Sequence, residues 1–159
     1  MSRAALRIYL NDHLAGATLG CDHARQLEKR YEGHPLGASM ARTADEIVED
    51  RDTLQALVER LDVGRNPAKE AGAWVAEKVG RAKFSVAGED ELGTFQALET
   101  MALGVAGKLA LLHALEAVED AWPEVATLDL AGLIGRAEQQ RAALEAERVR
   151  LAARVLVPG

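Results

Sequence analysis

The tetrapeptide "EGHP", residues 32–35, separates two long stretches of helical periodicity and decides how they pack. Helices usually stop before the residue that precedes a proline, so Pro35 marks a break in the first periodic region. A link this short makes the two flanking helices antiparallel neighbours. The link "WPEVAT", residues 122–127, has the same effect on a second pair. The sequence therefore predicts two antiparallel helical hairpins.

Outward from these links, apolar residues recur at steps of three and four, as in helices with one buried face. The pattern predicts four long helices, over residues 3–32, 36–62, 90–121 and 128–155. At about 1.5 Å per residue each would be roughly 40–48 Å long, so all four can pack side by side. Between the hairpins, Asn66 can cap a helix and Pro67 can occupy its first turn. We expect a crossover helix over residues 66–84.

The expected fold class is therefore all-α, and the helix count, helix lengths and connection order resemble the ferritin-like fold over almost the whole chain. The stretches "YLNDHLAG" (residues 9–16) and "LETMALGVAGKLALLHAL" (residues 98–115) are similar to stretches of bacterial ferritin-like proteins. The resemblance implies a ferritin-like four-helix bundle of two antiparallel hairpins, with the crossover helix between its second and third helices. It implies no particular activity. An up-down bundle of five helices is the alternative.

Composition limits the partners of this chain. Its 159 residues are enough for one domain, residues 1–159, with its own core. The net charge is -6 and lysine and arginine form no basic stripe, which argues against binding to nucleic acid. No stretch reaches eighteen apolar residues, so we expect no membrane span. A single cysteine, Cys21, and the lack of an apolar leader at the N-terminus favour a cytoplasmic location.

The ferritin-like resemblance raises the question of a di-metal centre. Such centres take a Glu from each of two helices and a Glu-x-x-His from each of the other two. The fourth long helix offers Glu138-x-x-Arg141 instead, and arginine cannot act as a ligand. Its Glu145-x-x-Arg148 departs in the same way, whereas Glu99 matches a bridging Glu. The sequence therefore predicts no di-iron centre and no cofactor, and it shows no catalytic residue.

An altered ligand set is the alternative to a bundle without metal. His13, Asp52, His113 and Glu138 could approach one another and form a mononuclear zinc or iron site. A histidine on an apolar helix face is more often a core residue with its own hydrogen-bond partner. We therefore expect these histidines to be part of the protein interior.

The acidic stretch "TADEIVEDRDTL", residues 43–54, contains one carboxylate that should point inward. Asp50 shares a line with the apolar residues Ile47 and Leu54, whereas Asp45, Glu49 and Asp52 fall on the outer face. A buried carboxylate needs a partner. Counting residues from the helix ends predicts a buried polar cluster of Asp50, Arg141, His13 and His113. The alternative is that each side chain reaches the edge of the bundle separately.

Glycines inside two of the predicted helices also need a reason, because each costs about 1 kcal/mol relative to alanine. They are Gly16 and Gly20 in the first helix, and Gly104 and Gly107 in the third long helix. The simplest reason is close packing of these two helices, with axes about 8 Å apart or less. The functional alternative is a channel for a small molecule, lined by the backbone.

No nucleophile elbow, phosphate-binding loop or dinucleotide-binding fingerprint is present in the sequence. The leading hypothesis is a ferritin-like bundle without a metal centre, with a structural or protein-interaction role. By analogy with ferritin-like folds we expect a homodimer. One alternative is a redox or storage protein that binds iron, manganese or zinc through altered ligands. Another is a carrier of small hydrophobic ligands, which would need a cavity in the bundle.

Overall fold

The computed structural model describes residues 3–61 and 90–158, which contain four α-helices and no β-strand. The helices are α1 (Arg3–Arg30), α2 (Gly37–Leu61), α3 (Glu91–Glu116) and α4 (Leu130–Val155). The expected all-α class is confirmed. Helix α3 ends at Glu116 rather than at residue 121, and a short 3-10 turn over Glu119–Ala121 follows it. The predicted crossover helix over residues 66–84 lies outside the described residues.

Capping side chains fix where α3 and α4 begin. The Asp90 carboxylate accepts a hydrogen bond from the Gly93 amide at 2.8 Å, and Asp129 accepts one from the Gly132 amide at 3.0 Å. Each bond satisfies an amide that has no partner within the first turn of its helix. After α1 the chain turns at Gly33, whose φ of 76° is left-handed and suits glycine. This turn allows α2 to fold back on α1.

Contacts near the helix ends give the direction of α1, α2 and α3. The Arg3 guanidinium donates a hydrogen bond to the Leu61 carbonyl at 3.1 Å, so the start of α1 lies beside the end of α2. The Arg30 guanidinium donates to the Thr94 hydroxyl at 3.2 Å, so the end of α1 lies beside the start of α3. Helix α1 is therefore antiparallel to both α2 and α3.

Helix α4 completes the bundle beside α3 and α2. Arg154, near the end of α4, pairs with Glu91 at the start of α3, so these two helices are antiparallel. The Gln140 amide donates a hydrogen bond to the Glu46 carboxylate at 2.9 Å, which places α4 next to α2. Since α4 runs parallel to α1, it is antiparallel to α2 as well. Each of these four neighbouring pairs is antiparallel.

The core between the helices is built from aliphatic side chains contributed by every helix. Its most deeply buried large residues are Leu10, Leu57, Leu98, Leu115, Val125 and Leu144. Helix α3 is apolar on nearly all sides and, among the described helices, it alone has the length and composition of a membrane span. The core helix of a bundle has the same length and composition, so these two properties do not identify α3 as a membrane span. The absence of a membrane span stays a prediction.

Candidate functional site

A buried carboxylate with two cationic partners lies near the middle of the bundle. The Asp50 side chain is only 7% exposed, which confirms that it points inward from α2. Its Oδ2 atom accepts a hydrogen bond from the Lys108 ammonium of α3 at 2.5 Å. Its Oδ1 atom accepts one from the Arg136 guanidinium of α4. A single carboxylate thus links three helices.

Two further side chains extend this arrangement. The Lys108 ammonium also donates to Oε1 of Gln140 at 2.5 Å, and the Gln140 amide donates to Glu46 at 2.9 Å. Gln140 is 3% exposed, and its amide oxygen and nitrogen each have a partner. We call Glu46, Asp50, Lys108, Arg136 and Gln140 the charged layer. Arg136 also donates a hydrogen bond to the exposed Glu49 carboxylate at 3.0 Å, so the two cations of the layer face three carboxylates, those of Glu46, Asp50 and Glu49.

Burial and charge act in opposite directions on the cations of this layer. Burial lowers the pKa of Lys108, and the attraction of Asp50 opposes that shift. Burial also acts to lower the pKa of Arg136, but Asp50 and Glu49 outweigh it and the net shift is upward. An opposite charge within hydrogen-bond distance favours the charged form of each group. The carboxylate of Asp50 therefore stabilises both cations.

The predicted partner of Asp50 is wrong. Arg141 is exposed, and the residue of α4 that reaches Asp50 is Arg136. The buried stripe of α4 passes through Ala137, Gln140, Leu144, Glu147 and Leu151, whereas the predicted cluster requires a stripe through Ala137, Arg141 and Leu144. Both assignments alternate steps of three and four residues, so spacing alone does not separate them. Arg141 therefore does not occupy the interior position expected for it.

The two histidines of the predicted cluster differ in burial and in their contacts. His113 is exposed, and its ring nitrogen Nδ1 lies 3.4 Å from the Glu116 carboxylate on the surface of α3. His13 is half-buried, and burial lowers the pKa of its imidazole although Asp12 opposes the shift. Its ring packs edge-on against Tyr9, with 4.7 Å between the centroids. The predicted four-residue cluster therefore does not form, although His13 and Asp50 line the same cavity.

The alternative metal-ligand set is not assembled either. Within residues 3–61 and 90–158, no three His, Cys, Asp or Glu side chains are placed to hold one metal ion. Asp52 is 60% exposed and bonds Arg51 at 2.6 Å, and Glu138 is exposed on α4. Glu99, the match to a bridging Glu, is half exposed, with its carboxylate 3.6 Å from Arg148. These carboxylates belong to the surface of the bundle.

A cavity of about 270 Å³ lies between α1, α2 and α3 and reaches the start of α4. Its walls are mainly aliphatic and include Ile47, Leu54, Met101, Val105, Leu112 and Leu115. Asp50 and Lys108 of the charged layer and His13 also line it. An aliphatic cavity of about 150 Å³ is large enough to hold benzene. The space inside this bundle is therefore large enough for a small organic molecule.

Three of the four glycines singled out in α1 and α3 border this cavity rather than a close helix contact. Gly16, Gly104 and Gly107 line it, and a Cβ built at any of them would meet no heavy atom of the described residues within 4 Å. The same holds for Gly20, so the prediction of close backbone packing at these glycines is wrong. Gly16 and Gly104 are exposed. The cavity therefore meets solvent where α1 and α3 lack side chains.

A second buried carboxylate, that of Glu147, lies in the C-terminal half of α4. Glu147, 4% exposed, accepts a hydrogen bond from the Tyr31 hydroxyl at 2.7 Å. Arg150 donates two more to it, each at 2.6 Å. The bonds from Arg150 and then from Tyr31 lower the pKa of Glu147 against the effect of burial. Since both carboxylate oxygens have partners, this group joins the residue after α1 to α4 and is not a vacant binding site.

Sequence reasoning missed Lys108, Arg136 and Gln140, although a signal for two of them was present. Lys108 follows the core residue Val105 by three positions and precedes the core residue Leu112 by four. Gln140 has the same spacing from Ala137 and Leu144. A polar residue at such a position lies on the buried face of its helix. Arg136 has no equally clear signal.

A comparison of the chain with protein-family models, curated proteins and solved structures found no match. Support for a function therefore comes from the contacts of the described residues. The charged layer and the Glu147 group satisfy most of their own hydrogen bonds. Of the charged layer, the Glu147 group and the cavity, it is the cavity that has room for a second molecule.

Proposed function

We propose that the protein is a non-catalytic, ferritin-like helical bundle that binds a small, largely apolar molecule in the cavity between α1, α2 and α3. The observation that carries this proposal is the combination of aliphatic walls with three helical glycines on the cavity border. Each glycine costs about 1 kcal/mol in a helix, and here no heavy atom of the described residues within 4 Å demands it. A residue that sacrifices stability without a packing reason is expected at a functional site.

The charged layer favours this role over metal storage or redox chemistry. The one deeply buried carboxylate that faces the cavity, Asp50, already has an ammonium at 2.5 Å and a guanidinium on its other oxygen. A metal ion bound there would be placed beside two positive charges, which disfavours binding. Elemental analysis of protein purified without chelator tests this point. One bound metal per chain would favour the redox or storage alternative.

The ferritin-like topology is part of the proposal and is supported by where the described segments stop. Leu61 lies beside Arg3 at one end of the bundle, and Glu91 lies beside Arg154 at the other. A chain that continues from Leu61 to Glu91 therefore joins opposite ends, as the crossover of a ferritin-like bundle does. In an up-down bundle, consecutive helices are joined at the same end.

A protein-interaction role, with a homodimer as its simplest form, is the second candidate. It is favoured by Ile8 and Leu103, which are 65% and 70% exposed on α1 and α3. Single exposed apolar residues are common on protein surfaces, so this observation is weaker than the cavity. Measurement of the solution mass tests it, since a monomer over a wide concentration range would rule out the dimer. The cytoplasmic location stays a prediction.

Ligand binding can be tested with an apolar probe of suitable size. We expect toluene to bind the purified protein and to shift the NMR signals of Met101 and Val105, which line the cavity. The double variant Gly104→Leu/Gly107→Leu should lose this binding because its two new side chains enter the space. The matched control is Gly135→Leu on α4, a glycine with equally open surroundings that does not line the cavity.

Two outcomes would contradict the proposal. The first is that toluene at saturation leaves the signals of the cavity residues unchanged in the unmodified protein. The second is that the cavity variant binds as tightly as the Gly135→Leu control. Circular dichroism and solution mass should first show that both variants keep the helical fold, so that lost binding reports on the cavity.

A further inference from the structure

The charged layer presents one hydrogen-bond donor group to the cavity. A lysine ammonium has three N–H donors. Two hydrogen bonds of the Lys108 ammonium are found within the described part of the chain, to Asp50 and to Gln140. Lys108 also lines the cavity, and its side chain is 19% exposed. Its third N–H is therefore available to an acceptor atom of a bound molecule.

The cations around this donor already have carboxylate partners. Lys108 and Arg136 share the Asp50 carboxylate, and the Glu46 carboxylate lies next in the same layer through Gln140. Since Arg136 also pairs with Glu49 at 3.0 Å, a carboxylate ligand would add a fourth negative charge to those of Glu46, Glu49 and Asp50. A cationic ligand would add a positive charge close to Lys108. Asp12 and Arg51 also line the cavity, but both already have interactions of their own. A charged ligand of either sign would therefore bury a charge without a free partner, which is costly.

We propose that the cavity takes an uncharged molecule with one hydrogen-bond acceptor, such as the oxygen of a ketone, ester or alcohol, and a short hydrocarbon body. The acceptor oxygen binds the Lys108 ammonium. The hydrocarbon body lies along Leu54, Val105 and Leu112, which line the same cavity. This inference rests on the proposed function and adds the chemical class of the ligand.

The size of the cavity sets an upper limit on that ligand. Its volume is about 270 Å³, and an aliphatic cavity of about 150 Å³ holds one benzene. A molecule of up to about twice the volume of benzene can therefore be enclosed. Longer molecules would have to extend into solvent between α1 and α3, where Gly16 and Gly104 are exposed.

The test uses four probes: toluene, 2-heptanone, heptanoate and heptylammonium. Titration of the unmodified protein should give the tightest binding of the three seven-carbon chains to 2-heptanone, by at least about tenfold, since a buried unpaired charge costs more than one lost neutral hydrogen bond. The Lys108→Met variant should weaken 2-heptanone binding by about tenfold, as expected for loss of a charge-assisted bond. Toluene has no acceptor oxygen, and its affinity should change by less than about threefold.

A readout on the unmodified protein covers the case in which Lys108→Met does not fold. The carbonyl carbon of ¹³C-labelled 2-heptanone should resonate downfield in the complex relative to its position in hydrocarbon solvent, because a donated hydrogen bond polarises the carbonyl. Tighter binding of heptanoate than of 2-heptanone would overturn the inference, as would a carbonyl signal at the hydrocarbon position. If toluene binds but Lys108→Met leaves the affinity for 2-heptanone unchanged, the ligand class is wrong and the proposed function stands. If none of the four probes binds, the proposed function itself fails.

Discussion

Replacing Gly104 by alanine should stabilise this protein. Gly104 lies inside α3, and a Cβ built there would meet no heavy atom of the described residues within 4 Å. The variant therefore gains the helix preference of alanine without a clash. That preference amounts to about 0.8–1 kcal/mol in the free energy of unfolding. For a chain of this size the same gain raises the melting temperature by about 2–4 °C.

Urea denaturation followed by circular dichroism measures the effect, and other glycines provide controls. Gly135→Ala on α4 has equally open surroundings and should give a similar gain. Gly37→Ala should destabilise the protein, because its Cβ would lie 2.7 Å from the Tyr31 carbonyl oxygen. Gly33→Ala should also destabilise it, because the backbone there has a φ of 76°.

The combination with ligand binding makes this prediction specific to the cavity. A gain in stability at Gly104 that comes with weaker toluene binding would show that the open space is kept at the expense of stability. A loss of more than about 0.5 kcal/mol at Gly104, with the expected gain at Gly135, would refute the reasoning, since it would mean that packing forbids a side chain there.

The other predictions concern the buried charges, the metal content and the assembly. Asp50→Ala should lower the free energy of unfolding by about 3–5 kcal/mol in urea denaturation, because it leaves the largely buried Lys108 ammonium without the carboxylate that it shares with Arg136, whereas Arg136 keeps Glu49. A loss below about 1 kcal/mol would show that the layer is open to water. Because the pKa of Glu147 is lowered from 4.5 in the folded protein, its stabilising contribution is complete above pH 4.5 and is lost as the pH falls through the folded-state pKa, which acid titration of stability should show. Tyr31→Phe should lower the free energy of unfolding by about 1.5–3 kcal/mol at neutral pH. An unchanged stability of this variant would contradict the role of the hydroxyl. Protein purified without chelator should contain well below one metal ion per chain by elemental analysis and should have the mass of a dimer in solution; a metal content near one would favour the storage or redox alternative.

The sequence predicted the helical architecture because the signals involved are local. Apolar steps of three and four, the breaks at Pro35 and Pro123 and the capping residues act within one helix or one turn. They located α1, α2 and α4 to within two residues at each end. The same periodicity placed Asp50 inward and Asp45, Glu49 and Asp52 outward, as observed. Short links then required antiparallel hairpins.

The identity of the partners of Asp50 depended on the offset between helices, which no local signal contains. Two contacts, Asp50 with Arg136 and Glu46 with Gln140, give the same register between α2 and α4. Counting from the helix ends instead assumed that the ends are level, and it selected Arg141. Five residues correspond to about 7.5 Å of rise and to a rotation of about 140° around the helix. An error of this size moves a side chain from the core to the surface.

The sequence by itself thus determined that four long helices form, which links make them antiparallel and which carboxylate turns inward. Packing decided that a lysine and an arginine from two other helices stabilise that carboxylate, and that three helical glycines border an open cavity. The physical reason is that periodicity reports which face of a helix is buried, whereas the distance and offset between helices depend on how all side chains fill the space between them.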